Sequence, residues 1–511
     1  MRLWLFLLIT PLLLSTGCAV NPVTGKNELS LISEADEIEM GAKQYIPSQQ
    51  SQGGQYVTDP ALIAYVNSVG QRVAAAGDRD LPYEFVVLNN SVPNAWALPG
   101  GKISINRGLL VELKSEAELA AVLGHEAVHA AAKHGANSVQ RGMILQGLVT
   151  ATAIGAAVSE SDYGNYVVGG AQLGAQLISQ KYGRNAELES DYYGTQYMAK
   201  AGYDPAAAIS LQETFVRLSE GHESSFIDGL FASHPPSQER VSANQNTVEE
   251  LGRPGGDLGV DRFQKATAFL RENSYAYTSF DNAQSLFAKG EYDKALGNLT
   301  TALKQVPSEA RFHGLKGNIY YQQKKYEDAE AAYARAIELD NNYFEYYLGR
   351  GLVSSKRGNR TQAKQFLEKS NELLPTAVAS QELGQLSLAS GNRNEAKGYF
   401  SSAMGASGTL GKNATLSFIQ LDLPDNPSRY FRVEPKKSDT GQFIATITNL
   451  TPASVSVLAV EFRATVNGQP FRQVIQLPIK ASGTEDVASG WQIEPTDQLT
   501  DVSVAIVGAT L

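Results

Sequence analysis

The apolar positions of this 511-residue chain change period several times, and each change predicts a different element. After Arg2, an apolar run extends from Leu3 to Leu14. It has the length of a secretory h-region and is too short to span a bilayer with comfort. Tyr83 to Leu88 reads as a strand, and Ala95–Leu98 with Lys102–Asn106 as a pair turned by Pro99-Gly100-Gly101. Leu119, Val122, Leu123 and Val128 then recur at helical spacing. Ser115 with Glu118 is a capping-box start for that helix, and Gly135 supplies a stop. A second helix begins around Asn185 and ends near Gly202. Further on, the pattern repeats every 34 residues. Ala295, Ala329 and Ala363 keep that interval, and Ala396 follows after 33. Ala302 and Ala336 keep it too, with Ser370 and Ala403 in the next equivalent places. Small residues recur where two helices cross closely, and about four tetratricopeptide repeats span Ser279 to Ala406. After Gly408 the period becomes two. Phe443–Ile447, Val455–Phe462, Gln473–Leu477 and Val502–Val507 read as strands, with turns such as Asn467-Gly468 and Ser482-Gly483. Several short strands in about 80 residues suggest a small β-sandwich.

The first helix carries the chemistry. His125 and His129 are four apart, so both imidazoles stand one turn apart on one face and can reach one metal ion. Glu126 beside them can take a proton from water polarised by that metal. Three of the six histidines fall between positions 125 and 134. Histidines packed in a buried helix are the alternative, and the interposed glutamate argues against it. A catalytic zinc site wants three protein ligands and one open position. Glu187, at the start of the second helix, is the best third candidate. Asp191, one turn on, can hold an imidazole through its second N–H. Glu189 points to another face and is the weaker choice. His134, nine residues from His125, reads as a structural or helix-end histidine. The acidic cluster taken alone would be an ordinary solvated helix start.

His125-Glu126-x-x-His129 with the distant Glu187-x-x-x-Asp191 resembles the gluzincin metallopeptidases. More narrowly, it resembles the prenyl-protease-related branch, which includes bacterial periplasmic lipoproteins carrying tetratricopeptide repeats. Asn21-Pro22-Val23-Thr24-Gly25, Asn94 to Gly101, Ala201-Gly202-Tyr203-Asp204-Pro205, and His234-Pro235-Pro236 with Arg240 extend the likeness over residues 18 to 250. The resemblance implies His125, His129 and Glu187 as ligands of one Zn2+ and Glu126 as general base. It implies Asp191 as partner of a ligand imidazole. It also gives His234 a place near the metal, where it would block the open position or stabilise the oxyanion; otherwise it is a loop histidine held by two prolines. The strand ahead of the zinc helix offers an exposed edge on which an extended peptide could pair. Gly142 to Gly174 reads as packed helices with a joint over the active-site cleft, its apolar part being shorter than the roughly 20 residues of a membrane span.

Leu14-Ser15-Thr16-Gly17-Cys18 looks like a lipoprotein cleavage site, although Leu14 stands one position further from the cysteine than is usual. Cys18 is the only cysteine, which suits a lipid anchor and excludes an internal disulfide. Ala19 after it resembles an outer-membrane sorting signal, so the expected location is the periplasmic face of that membrane. A net charge of −10 leaves no basic footprint for nucleic acid. The expected architecture is multidomain. It comprises a signal peptide (1–17), a mainly helical α+β zincin-like metallopeptidase domain (18–270), a tetratricopeptide α-solenoid (275–408) and a C-terminal β-sandwich (425–511). The expected function is a zinc endopeptidase degrading unfolded or misassembled envelope proteins, with a protein partner at the repeat groove. The competing reading is an envelope chaperone or scaffold with a latent or structural zinc site.

Overall fold

The computed structural model describes residues 18–141, 181–220, 229–438, 441–494 and 496–511. The leader and the Gly142–Gly174 stretch lie outside the described residues, the latter together with its expected joint over the cleft. The chain forms two compact units, one closing at Pro375 and the other running from Thr376 to Leu511.

The first unit opens with a hairpin, β1 (Cys18–Val20) paired to β2 (Asn27–Leu29). The Asn21 side chain shapes the loop between them by accepting from the Val23 and Thr24 amides at 2.9 and 3.1 Å. Helices α1 (Glu34–Ser51) and α2 (Pro60–Ala74) lead to a sheet of β3 (Glu84–Leu88), β4 (Ala95–Leu98) and β5 (Lys102–Asn106). Its order is β3-β5-β4, with β3 parallel and β4 antiparallel to the central strand. The β4–β5 turn needs Gly100 at φ 75°, and a Cβ there would lie 2.7 Å from the Ile38 backbone of α1. β4 is an edge strand as expected, but all four of its residues are buried, so the exposed edge is corrected to a covered one.

After α3 (Arg107–Glu112) comes α4 (Glu116–Ala131), which carries the two-histidine motif and is buried on every face. A helix buried all round is a core helix rather than an amphipathic one. Ser115 Oγ accepts from the Glu118 amide at 3.1 Å, while Glu118 Oε2 reaches back to the Lys114 amide at 2.7 Å. The helix ends before Gly135, because Lys133 turns left-handed at φ 61°. Tertiary donors serve its last carbonyls: Asn21 Nδ2 reaches Ala132 O at 3.1 Å, and Arg79 Nη1 reaches Ala130 and Ala131 at 3.5 Å.

Helices α5 (Arg184–Lys200), α6 (Ala206–Glu220), α7 (Leu230–Ser233) and α8 (Gln238–Glu250) complete this part. α5 crosses α4 where two glycines meet. A Cβ on Gly194 would stand 2.9 Å from His125 N and 3.0 Å from Gly124 C, so the helices approach backbone to backbone. Gly202 then ends α5 at φ 91°, and the following Tyr203 donates its hydroxyl to Glu116 at the start of α4 at 2.8 Å. The Ala201–Pro205 segment thereby fixes the second helix against the first.

The 34-residue spacing appears as helix pairs: Ser274–Ala288 with Tyr292–Gln305, Ala310–Gln322 with Tyr326–Leu339, and Phe344–Lys356 with Arg360–Leu373. Ala295, Ala302, Ala329, Ala336 and Ala363 are all fully buried at the crossings. These repeats are seated on the part that carries the two-histidine helix through buried Glu309, which accepts from Thr58 and Asn89 at 2.8 Å each, and from Tyr277 of the first repeat at 3.2 Å.

The second unit begins with a further pair, Ala377–Ala389 and Arg393–Ala403. Period two was expected from Gly408, but Gly408–Asp422 is one more helix, burying Gly411, Ala414, Ile419 and Leu421. That spacing of three, five and two gives the helix one apolar face. Two three-stranded sheets follow, ordered β10-β7-β6 and β11-β8-β9, from β6 (Phe431–Lys437), β7 (Gln442–Asn449), β8 (Val455–Val466), β9 (Gln469–Ile479), β10 (Thr484–Gln492) and β11 (Leu499–Thr510). Both sheets feed one core that includes Phe443, Ile447, Val460, Phe462 and Val487. Sequence reading missed β6 and β10. β6 is an edge strand bearing Pro435 and two lysines, which hide the alternation while discouraging further pairing. β10 is polar and interrupted by an irregularity between Ala488 and Gln492.

Candidate active site

Four side chains from three elements converge. His125 and His129 come from α4, Glu187 from the first turn of α5, and His234 from the residue after α7. One nitrogen or oxygen from each lies within 4.8 Å of all the others, and all four residues are buried. His125 Nε2 and His129 Nε2 are 3.0 Å apart. Glu187 Oε1 lies 3.4 Å from His129 Nε2 and 3.0 Å from His234 Nδ1, and Oε2 lies 3.6 Å from His125 Nε2. His234 Nδ1 is 3.3 Å from His125 Nε2.

The donor set fits a metal ion. His125 Nδ1 faces Asp191 Oδ1 at 2.9 Å, so it carries the ring proton and leaves a lone pair on Nε2. Nitrogens turned toward one another at hydrogen-bond distance, with a carboxylate between them, make an arrangement that one shared cation satisfies. Burial lowers the His129 pKa well below its ordinary value and keeps that ring in the neutral, ligating form. Burial alone would raise the Glu187 carboxyl, but His234, His129 and His125 outweigh it and hold it well below the usual carboxylate range.

Asp191 and Glu187 share a clamp that the sequence reading quoted without giving it a role. Arg240, in the first turn of α8, donates Nε and Nη2 to the two Asp191 oxygens at 2.6 and 2.7 Å. Its Nη1 stands 2.8 Å from Glu187 Oε2. Ser237 caps α8 by accepting from the Arg240 amide, which sets the arginine at the helix start. Burial opposes the Arg240 charge and the Asp191 charge alike; each overcomes it for the other, Arg240 being raised and Asp191 lowered. Tyr182 also escaped sequence reading. Its ring packs 4.0 Å from the His129 ring, and nothing in its local pattern announces that contact.

Glu126 stands beside the cluster, not in it. Its Oε1 lies 3.6 Å from His234 Nε2, and its Oε2 is buried without a hydrogen-bond partner. Burial raises its pKa against the pull of His234 and His125. Burial opposes protonation of His234, yet Glu187 and Glu126 raise its pKa. Beside Glu126 and His234 opens a partly open pocket, whose apolar side includes Val122, Leu211, Phe215 and Leu230. Neither His134 nor Glu189 belongs to the cluster. His134 does not face away as expected, however. The left-handed turn at Lys133 folds it back to His129, with Nδ1 to Nδ1 at 3.0 Å.

The chain is similar to known proteins over the stretch that holds this cluster. Residues 60–248 match peptidase family M48, a stretch that contains His125, Glu126, His129, Glu187, Asp191, His234 and Arg240. The chain carries an M48 peptidase domain. Residues 280–344 match the tetratricopeptide repeat, so repeats follow the M48 domain. Similar proteins include the beta-barrel assembly-enhancing protease of Yersinia pestis, 25% identical over 350 residues, or 63% of this chain and 70% of that one. The protein of that name from Escherichia coli K12 is 24% identical over 346 residues, with the same coverage. The mitochondrial metalloendopeptidase OMA1 of Schizosaccharomyces pombe is 33% identical over 192 residues, 36% of this chain and 53% of its own length. Across the relatives named as beta-barrel assembly-enhancing proteases the match spans between 57% and 70% of their length.

Proposed function

We propose that this chain is a zinc-dependent endopeptidase of the bacterial cell envelope that cuts unfolded or misassembled proteins. The observation that carries the reading is the buried convergence of His125, His129 and Glu187 with Glu126 alongside. In this reading those three residues hold one Zn2+ and Asp191 orients His125. Bound zinc would supply the Lewis acidity that makes water nucleophilic at neutral pH. Glu126 is the general base: its free Oε2 and raised pKa suit a carboxylate that takes a proton and returns it to the leaving amine. The partly open pocket next to Glu126, with its apolar side, is where a substrate side chain would enter.

The relatives named for β-barrel assembly favour an envelope role, and the reading of Cys18 as a lipid anchor on the periplasmic face of the outer membrane goes with it. No described helix is long and apolar enough to cross a membrane. The repeats would present a groove to a protein partner, and the boundaries 18–270, 275–408 and 425–511 belong to the same proposal. Glu126→Gln decides the enzymatic part. Wild type should hydrolyse an unfolded protein substrate, and the variant should lose about 10²- to 10⁴-fold in rate with its zinc content unchanged. Equal residual cleavage in both, or none in either, favours the second reading, an envelope scaffold with a silenced site. One observation speaks for that alternative: His234 Nδ1 stands among the donors, where a fourth ligand would close the open position.

A further inference from the structure

Two residues outside the donor cluster stand directly behind one of its members. His134 Nδ1 lies 3.0 Å from His129 Nδ1, and His134 Nε2 lies 3.2 Å from Glu189 Oε1. We propose that His134 and Glu189 form a positioning relay that fixes the tautomer and pose of His129, as Asp191 does for His125. The proposal rests on the zinc reading above, and the directions of its hydrogen bonds follow from that reading. His129 points Nε2 at His125 and Glu187, so in a ligating neutral ring the proton sits on Nδ1. That N–H needs an acceptor, because the ring is wholly buried. The atom it meets is His134 Nδ1, which accepts only if the His134 proton is on Nε2. Nε2 in turn faces the Glu189 carboxylate. The chain Glu189, His134, His129 is therefore consistent at every link, with one proton for each gap.

Its parts are held by the local backbone and by packing. Lys133 adopts φ 61°, a conformation that non-glycine residues rarely take, and this turn brings His134 back under the helix it has just left. The His134 and His129 rings meet edge to face, with centroids 4.9 Å apart at 74°. Both partners are mostly shielded, the His134 side chain being 11% and the Glu189 side chain 20% exposed. Ser190 Oγ lies 3.5 Å from His134 Nδ1, too long to replace the His129 contact. α5 thus serves the site three times in five residues: Glu187 in the cluster, Glu189 behind His129, and Asp191 behind His125. Such outer partners change metal affinity by about 10- to 100-fold when removed, because they set ligand basicity and orientation together.

The test uses the full chain, with zinc affinity measured by chelator competition and kcat and KM measured at saturating zinc. His134→Leu, which removes the acceptor, should weaken zinc by about 10- to 100-fold and lower kcat with little change in KM. His134→Asn can place a carbonyl oxygen near the position of Nδ1 and should stay within about threefold of wild type for zinc, which a purely space-filling role would not produce. Glu189→Ala should fall between the two and covers the case in which His134→Leu fails to fold. Wild-type zinc affinity in His134→Leu, or in Glu189→Ala, overturns the relay alone. So does His134→Asn falling as far as His134→Leu. A wild type that takes up no zinc overturns the zinc reading itself and the relay with it.

Discussion

Asp191 and Asp486 each hold a cation within 3 Å, one in the M48 domain and one on the β-sandwich. Asp191 accepts from Arg240 at 2.6 and 2.7 Å and from His125 at 2.9 Å, and both acid and arginine are at most 6% exposed. Asp486 accepts from Lys436 at 2.9 Å and from Thr446 at 2.6 Å, but its side chain is 53% exposed and that of the lysine 45%. Similar distances carry different meanings in these two places. Water competes for every contact at Asp486, so the pair contributes little to stability. At Asp191 the charges have been taken out of water, which is tolerable only because bidentate geometry and a third donor fill the carboxylate. A fold has no need of such an arrangement for stability, since apolar residues would serve as well. What it provides is a fixed acceptor behind His125, beside a carboxylate in the donor cluster. In the sandwich, buried Glu461 pairs with Arg463 and Arg472, but both arginines stay in water.

The contrast can be broken at its costly end first. Arg240→Ala should leave two buried carboxylates uncompensated and destabilise the M48 domain by about 3–5 kcal/mol, with loss of zinc, as read by denaturant unfolding and metal analysis. A stable, zinc-loaded Arg240→Ala protein would show that burial is not what separates the two aspartates. His234→Ala should change peptidase rate by about tenfold or more. A rise marks His234 as a plug in the fourth position, a fall marks it as an aid to the reaction, and no change removes it from the site. The smallest effect belongs to the surface. Lys436→Ala should leave the melting temperature within about 2 °C of wild type, and a larger drop in calorimetry would refute the screening argument.

Legibility in the sequence followed the range of the interaction. The 34-residue repeat was readable because each helix pair meets its neighbour with the same small residues, Ala295, Ala329 and Ala363 among them. β7, β8, β9 and β11 were readable because alternate residues face one core. β6 and β10 were not, since an edge strand can be polar and an irregular one loses its period. The end of α4 was misplaced for a related reason. Gly135 was expected to stop the helix, yet it lies in a helical stretch that resumes at His134. The break falls at Lys133, where Asn21 and Arg79, far away in sequence, serve the carbonyls. At the site, His125 and His129 share one helical turn and announce each other. His134 was set aside because it was placed on an unbroken helix, whereas Lys133 turns it around. Arg240 carried no signal by which to name its partners, because a charge on a short helix start looks like any solvated one.

The sequence by itself determined that a helix would present two imidazoles with a carboxylate between them, that an acidic helix start would follow, and that repeats and then strands would succeed them. Those properties are local, written in spacing and capping. Only the tertiary structure decided that α5 approaches α4 backbone to backbone at Gly194, that His234 enters the cluster, and that Arg240 and His134 stand behind its members. These are contacts between residues 47 to 109 positions apart or across a left-handed turn. No periodicity encodes them, because what selects them is the cost of leaving a buried donor or charge without its partner.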